Sequence, residues 1–147
     1  MPFVAVESEP IRADRRKVYA LACDMESFPS YMPDVKSVKV LERGPNWTVT
    51  EWVALLKGRT FRWKERDEFD PETPCIRYRL EEGDLKKFEG EWTFEAQGEE
   101  TRVRLTVDFE LGVPMIAALL NPVAKLAVRD NCAGMLAAIK ARAEAGD

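Results

Sequence analysis

The chain has 147 residues, a net charge of -4 and an isoelectric point of about 5.1, and 33% of its residues are charged. This length predicts one domain that buries a core without disulfides or metals. The sequence contains no long basic block, which argues against nucleic-acid binding. It also contains no apolar run of about 18 residues, which argues against a membrane span.

The absence of histidine excludes Ser-His-Asp and Cys-His catalysis and His-ligated zinc. Cys23, Cys75 and Cys132 are odd in number and far apart, so free thiols in a reducing cytoplasm are expected, with no metal and no cofactor. The N-terminus has no signal-peptide pattern. One Gln and three Asn among many charged residues suggest a thermophilic source.

The N-terminal part predicts a strand followed by two small helices. Phe3 to Glu7 alternates between apolar and polar residues, as a strand does. Asp14 can cap a helix that ends near Cys23. Residues 25–32 predict short helical turns, which are interrupted and closed by proline.

The central part predicts six antiparallel strands joined by turns. Lys57-Gly58 is typical of a two-residue hairpin. One face of these strands is apolar over their whole length, so a sheet built from them must curl, and we expect a bend at Gly90. The predicted strands cover residues 35–42, 47–56, 59–69, 75–81, 85–97 and 101–111.

A long amphipathic helix is predicted from Pro122 to about Glu144, with Asn121 as its N-cap, after a short helix over residues 114–120. Small residues, Gly134 among them, occupy the middle of its apolar face, and Asn131 lies near the centre. Two explanations stay open. The small residues leave room for a ligand that Asn131 contacts, or they let the helix lie close to the sheet while Asn131 bonds to the backbone.

Two acidic residues fall on the apolar face of the strand over residues 59–69. Period-two alternation puts Glu65 and Asp67 beside Trp63, and it puts Arg66 on the opposite face. A carboxylate buried among aromatic rings would have a raised pKa and would suit general acid or base chemistry. The alternative is a bulge that turns the acids to water, which we favour for Asp67 and leave open for Glu65.

Three motifs carry a resemblance to a known family. They are Phe28-Pro29-Ser30-Tyr31-Met32-Pro33, Trp63-Lys64-Glu65-Arg66, and the stretch 82–94, in which an acidic Gly turn leads to Phe, Gly, Trp and Phe. With the order of the elements, they make the chain resemble the helix-grip proteins, which include START-like lipid-binding domains and the birch-pollen-allergen superfamily. Within that group it is similar to the polyketide cyclase/dehydrase and coenzyme-Q-binding-protein branch.

The resemblance implies one α+β helix-grip domain over residues 1–147, in which a curved antiparallel sheet of about seven strands wraps around the C-terminal helix. Between them it implies a deep apolar cavity that binds a lipid, quinone or polyketide, in a carrier or binding protein. The ligand-binding residues expected there are Trp63, Tyr78, Phe88, Trp92, Phe94, Leu105, Val107, Ala127, Asn131 and Met135.

The same resemblance leaves two other functions open. One is an aromatase/cyclase-type enzyme, in which Arg66 and Tyr31 orient the substrate and Glu65 contributes to catalysis. The other is a ribosome-associated interaction protein. The missing histidine and the lack of any nucleophile arrangement favour binding over catalysis.

Overall fold

The computed structural model describes residues 3–111 and 114–145, without the side chains of 114–121. Within these residues the chain forms a sheet, two α-helices and a short 3-10 helix. The elements are β1 (Phe3–Glu7), α1 (Arg15–Cys23), the 3-10 helix Met25–Ser30, β2 (Val35–Gly44), β3 (Trp47–Leu56), β4 (Arg59–Asp70), β5 (Cys75–Gly83), β6 (Lys87–Gln97), β7 (Glu100–Glu110) and α2 (Pro114–Glu144).

The sheet has seven strands in the order β1-β7-β6-β5-β4-β3-β2, and all neighbouring strands are antiparallel. Strands β1 and β2 lie at opposite edges, so α1 and the 3-10 helix carry the chain across the sheet between them. The sheet curves around the C-terminal helix, which confirms the predicted α+β helix-grip architecture. The core between them contains Val4, Phe28, Phe109 and Ile139, all fully buried.

The predicted hairpin at Lys57-Gly58 is confirmed. Both residues adopt the left-handed conformation, with φ angles of 52° and 78°, which a two-residue turn between twisted strands requires. The predicted strand ends are less accurate. Strand β2 continues to Gly44, which pairs with Trp47, so the turn before β3 has two residues, and β6 begins at Lys87.

The predicted start of the long helix is wrong. The short helix over residues 114–120 and the helix expected from Pro122 are one element, Pro114–Glu144, and Pro122 lies inside it. Asn121 is therefore not an N-cap. Proline removes one main-chain hydrogen bond but keeps a helical φ angle, so a helix that is long on both sides of it can continue.

The predicted buried face of α2 is also partly wrong. Gly134 is exposed, and an added Cβ there would meet no other atom within 4 Å. Leu136 is buried, with 1% of its surface exposed. Gly134 is two residues, or about 200°, from the buried Cys132. The helix packs on α1 as well as on the sheet, where it contacts β1, β3 and β7, so its buried face includes Leu136 and excludes Gly134.

The C-terminal half of α2 is held to the segment before α1. The Lys140 ammonium donates to the main-chain oxygen of Pro10 at 3.0 Å, and the Arg12 main-chain N–H donates to Glu144 at 2.8 Å. No helix within residues 3–111 and 114–145 is both long enough and apolar enough to cross a membrane.

Candidate functional site

A small cavity lies between the sheet and α2, and we call it the inner cavity. Its volume is about 40 Å³, which is room for about three water molecules. Strands β2 to β7 and the middle of α2 supply its walls. These are Val35, Trp52, Ala54, Trp63, Glu65, Tyr78, Phe88, Trp92, Leu105, Val107, Asn131, Cys132 and Met135.

Most residues predicted to bind a ligand lie in this wall. The two exceptions are Phe94 and Ala127. Phe94 is buried against Tyr19, with ring centroids 5.2 Å apart, and Ala127 lines a neighbouring groove. Trp52 and Ala54 were not among the predicted residues, although both face inward on β3 and period-two alternation along that strand would have identified them. The predicted residues in the wall are Trp63, Tyr78, Phe88, Trp92, Leu105, Val107, Asn131 and Met135.

An apolar groove continues the same walls toward the turn between β3 and β4, and we call it the outer groove. It has a volume of about 380 Å³. Its residues are the next inward-facing ones along the strands: Leu56 follows Ala54, Phe61 precedes Trp63 and Phe109 follows Val107. Its members are Leu56, Lys57, Arg59, Phe61, Leu85, Phe109, Leu111, Val123, Ala124, Ala127 and Val128.

Aromatic rings form one side of the inner cavity. The indoles of Trp52 and Trp63 stack with centroids 5.6 Å apart and planes 10° apart. The ring centroids of Phe88 and Trp63 are 5.1 Å apart, and those of Phe28 and Trp52 are 5.8 Å apart. Stacked rings hold each other in place, so this side offers a flat and rigid apolar surface.

Both acidic residues of β4 face inward. Glu65 is 3% exposed and lines the inner cavity, and Asp67 is fully buried. Our preference for a bulge that turns Asp67 to water is therefore wrong. An irregularity exists, but it lies in β5: Lys64 pairs with Glu82 and Glu65 with Leu80, so the extra residue is Glu81 and the alternation of β4 is intact.

Hydrogen bonds hold the two carboxyl groups differently. Glu65 Oε1 accepts from the indole N–H of Trp63 at 2.8 Å. Asp67 Oδ2 accepts from the hydroxyls of Thr50 at 2.6 Å and Thr48 at 3.1 Å. Hydroxyl donors stabilise a carboxylate, so Asp67 is the better placed of the two to carry a negative charge.

Burial and the nearby charge of Asp67 raise the pKa of Glu65 well above its ordinary value. Burial also raises the pKa of Asp67, and its hydrogen bonds to Glu65, Thr50 and Thr48 oppose that rise. Among the described residues, Asp67 Oδ1 has no hydrogen-bond partner. A proton on Glu65 would provide one, so a proton shared by the pair would lie on Glu65.

Arg66 and Tyr31, the residues that the cyclase hypothesis needs, lie outside the inner cavity. Arg66 is on the opposite face of β4, with its guanidinium 4.4 Å from the ring of Trp47 and its Nε 3.3 Å from Glu68. Tyr31 follows the 3-10 helix and packs under the guanidinium of Arg142 at 5.0 Å. Burial raises the pKa of Tyr31 to about 12. Neither side chain can orient a molecule inside this cavity.

Asn131 contacts both the sheet and the inner cavity. Its Nδ2 donates to the main-chain oxygen of Leu55 at 3.3 Å, so it has the sheet partner that a purely structural role requires. Beside it, the Lys57 ammonium lies 3.0 Å from Asp130. These two contacts join α2 to the turn between β3 and β4, where the outer groove lies.

We expect Asn131→Leu to lower the free energy of unfolding by about 1 kcal/mol or less, because its hydrogen bond is long and the residue is only partly buried. Urea unfolding measures this. Asp130→Ala, which removes the exposed ion pair at the same junction, is the matched control and should cost less. A loss of several kcal/mol in Asn131→Leu would show that the amide is mainly structural.

Within the described ranges no three His, Cys, Asp or Glu side chains come together as metal ligands would. Cys75 and Cys132 are buried free thiols, and Cys23 is partly buried. Burial raises the pKa of Cys132 to about 12, so this thiol in the cavity wall stays neutral and unreactive.

Known structures resemble this fold closely. Protein TTHA0849 of Thermus thermophilus has a TM-score of 0.93 and 35% sequence identity, with 99% of each chain covered. The Zhui aromatase/cyclase of a Streptomyces species has a TM-score of 0.86 at 22% identity, with 97% of this chain and 94% of that one covered. At this lower identity the likeness concerns the fold.

Sequence relatives and a family model give the classification. Major latex protein 146 of Papaver somniferum is 32% identical over 117 residues, 73% of this chain and 72% of the relative. The actinorhodin polyketide synthase bifunctional cyclase/dehydratase of Streptomyces coelicolor is 33% identical over 100 residues, 67% of this chain but only 32% of that longer protein. Residues 11–136 match the family model described as polyketide cyclase/dehydrase and lipid transport, and the chain belongs to this family.

Proposed function

We propose that this protein binds one hydrophobic small molecule between the sheet and α2, as a carrier or binding protein. The observation that carries the proposal is the apolar inner cavity, whose walls continue along three strands into the outer groove. Ligand pockets usually measure roughly 300–1,000 Å³. The ligand would therefore extend from the inner cavity into the outer groove, or push α2 away from the sheet.

Both branches of the family name support an apolar ligand, since cyclases and lipid-transport proteins handle hydrophobic molecules. Lipids, quinones and polyketides remain the candidate classes. An aromatase/cyclase-type activity is the second candidate function, favoured by the names of two relatives. Arg66 and Tyr31 do not support it, because both lie outside the inner cavity. Glu65 is the one proposed catalytic residue that lines it.

The proposal predicts that filling the inner cavity blocks binding. Ala54 is 2% exposed and lines the cavity, so Ala54→Leu puts three carbon atoms into the space that a ligand needs. We expect this variant to bind the neutral probe N-phenyl-1-naphthylamine at least about fivefold more weakly, which corresponds to the lower limit of overpacking costs. Fluorescence titration measures the affinity.

The control is Ala141→Leu, which adds the same atoms at an exposed position of α2 and should bind the probe as the wild type does. Equal affinity of Ala54→Leu and wild type would mean that the probe binds elsewhere. Native mass spectrometry of the purified protein is an independent test, because a bound lipid, quinone or polyketide appears as added mass. If no hydrophobic molecule binds saturably by either method, the proposed function is wrong.

A further inference from the structure

Two of the three indole N–H groups in the wall of the inner cavity, those of Trp52 and Trp63, are already used. Trp63 Nε1 donates to Glu65 Oε1 at 2.8 Å. Trp52 Nε1 donates to Thr50 Oγ1 at the same distance, 2.8 Å. An indole has a single N–H and no acceptor. Neither tryptophan can therefore offer a hydrogen bond to a molecule in the cavity without giving up a buried one.

Two further strong donors in the wall, Tyr78 and Asn131, are also engaged. Tyr78 Oη donates to the main-chain oxygen of Thr106 at 2.6 Å, and Asn131 Nδ2 donates to the main-chain oxygen of Leu55 at 3.3 Å. A main-chain oxygen only accepts hydrogen bonds, so the side-chain amide of Asn131 must point its nitrogen, and not its oxygen, at Leu55. The group that Asn131 keeps for other partners is mainly its amide oxygen, together with one amide hydrogen.

The carboxyl group of Glu65 keeps free acceptor capacity. A protonated carboxyl group has one O–H donor and still accepts hydrogen bonds at its oxygens, and the Trp63 N–H uses only part of that acceptor capacity. The proton of the pair is directed to Asp67, which is fully buried and accepts hydrogen bonds from Thr48 and Thr50. At Glu65 the inner cavity therefore offers lone pairs to a ligand, with the carboxyl group of Asp67 behind them.

We infer that the inner cavity receives a neutral hydroxyl group, a phenol or an alcohol, at the inner end of an apolar ligand, with its O–H donating to Glu65. This inference rests on the proposed function. The stacked rings of Trp52 and Trp63 would contact the ring or chain that carries the hydroxyl. A ligand carboxylate would be repelled by a negative charge on Asp67. A halide or an ether has no hydrogen to donate, so its lone pairs would face those of Glu65 without forming a hydrogen bond.

Calorimetric titrations at pH 7 with 2-naphthol, 2-fluoronaphthalene and 2-naphthoate test this, because the three share one ring system. We expect 2-naphthol to bind and 2-naphthoate to bind most weakly. In Glu65→Leu the ratio of the 2-naphthol affinity to the 2-fluoronaphthalene affinity should fall roughly fivefold, as the loss of one hydrogen bond predicts. Taking the ratio cancels the different hydrophobicity of the two probes.

Two further variants separate the role of Glu65 from general effects. Glu65→Gln should keep the wild-type ratio, because its amide oxygen still accepts while its nitrogen donates to Asp67. Glu68→Gln changes an acid on the outer face of the same strand, where Glu68 contacts Arg66, and it should also keep the ratio. A crystal structure of the 2-naphthol complex is a test that needs no variant, with the naphthol oxygen expected within about 3.2 Å of Glu65.

An unchanged ratio in a folded Glu65→Leu protein overturns the inference, and so does a complex in which the naphthol oxygen points into the outer groove. Both results leave the proposed function intact, since the naphthalenes still bind. If neither 2-naphthol nor 2-fluoronaphthalene binds to the wild type, the proposed function itself fails, and this inference fails with it.

Discussion

Gly90→Ala is expected to lower the free energy of unfolding by roughly 3 kcal/mol or more, a large part of the roughly 5–15 kcal/mol that stabilises an ordinary domain. Gly90 pairs with Tyr78 of β5 on one side and with Val107 of β7 on the other. A Cβ at Gly90 would lie 1.9 Å from the main-chain oxygen of Thr106 and 2.8 Å from Tyr78 Oη. The side chain of Tyr78 in β5 passes over Gly90 of β6, where no Cβ is present, and its hydroxyl reaches Thr106 of β7.

The cost has two parts. The sheet must deform, because the nearest atom is main chain and cannot rotate away. The hydrogen bond from Tyr78 Oη to Thr106, at 2.6 Å, must also break, which leaves buried polar groups without partners. The pairing of β6 continues through Gly90 without a shift, so the predicted bend there does not take the form of a bulge, and the close approach of Thr106 and Tyr78 requires glycine.

Thermal and urea unfolding measure this effect, and Gly134→Ala is its matched control. Gly134 lies in α2 with open space around it, so alanine should stabilise the protein there by up to about 1 kcal/mol through helix propensity. Tyr78→Phe should cost about 1–2 kcal/mol, the part due to the hydrogen bond alone. A stability loss in Gly90→Ala no larger than that of Tyr78→Phe would contradict the steric explanation.

The second large effect is a loss of stability as the pH rises. Glu65 has a folded-state pKa well above its unfolded value of about 4.5. Between these two values the folded protein binds more protons than the unfolded chain, so the free energy of unfolding falls with increasing pH. The slope approaches about 1.4 kcal/mol per pH unit for one proton. Asp67, whose pKa is also raised, contributes with the same sign from lower pH.

The chain has no histidine, so few other side chains titrate between pH 5 and 8. The groups that surround the pair do not interfere there. Burial raises the pKa of Tyr78 well above its ordinary value, and it raises the pKa of Cys132 to about 12 and that of Cys23 to about 11. All three stay neutral over this range, so the carboxyl pair dominates the pH dependence.

Urea unfolding at several pH values from 5 to 8 tests this prediction. We expect Glu65→Gln to flatten the slope, because the amide keeps the hydrogen bonds of the protonated acid and does not titrate. Glu68→Gln, on the outer face of β4, should leave the slope as in the wild type. If the wild type and Glu65→Gln lose stability equally as the pH rises, Glu65 does not hold the proton.

The strand positions of the candidate site could be predicted from the sequence. Alternation along β4 put Glu65 and Asp67 inside and Arg66 outside, and the structure has this arrangement although we expected a bulge to change it for Asp67. The hairpin at Lys57-Gly58 was likewise predicted from two residues. Both are local properties of an extended chain, because each side chain points opposite to its neighbours whatever packs against them.

The helix face, the cavity size and the state of the hydrogen-bond donors depend on the tertiary structure. Gly134 faces solvent and Leu136 is buried, because α2 packs on α1 and on the edge strand β1 as well as on the rest of the sheet, and these contacts together determine how the helix is rotated. The inner cavity is the small volume left between side chains of six strands and one helix. Such a volume, and the free lone pairs of Glu65 that face it, arise only when residues distant in the sequence meet.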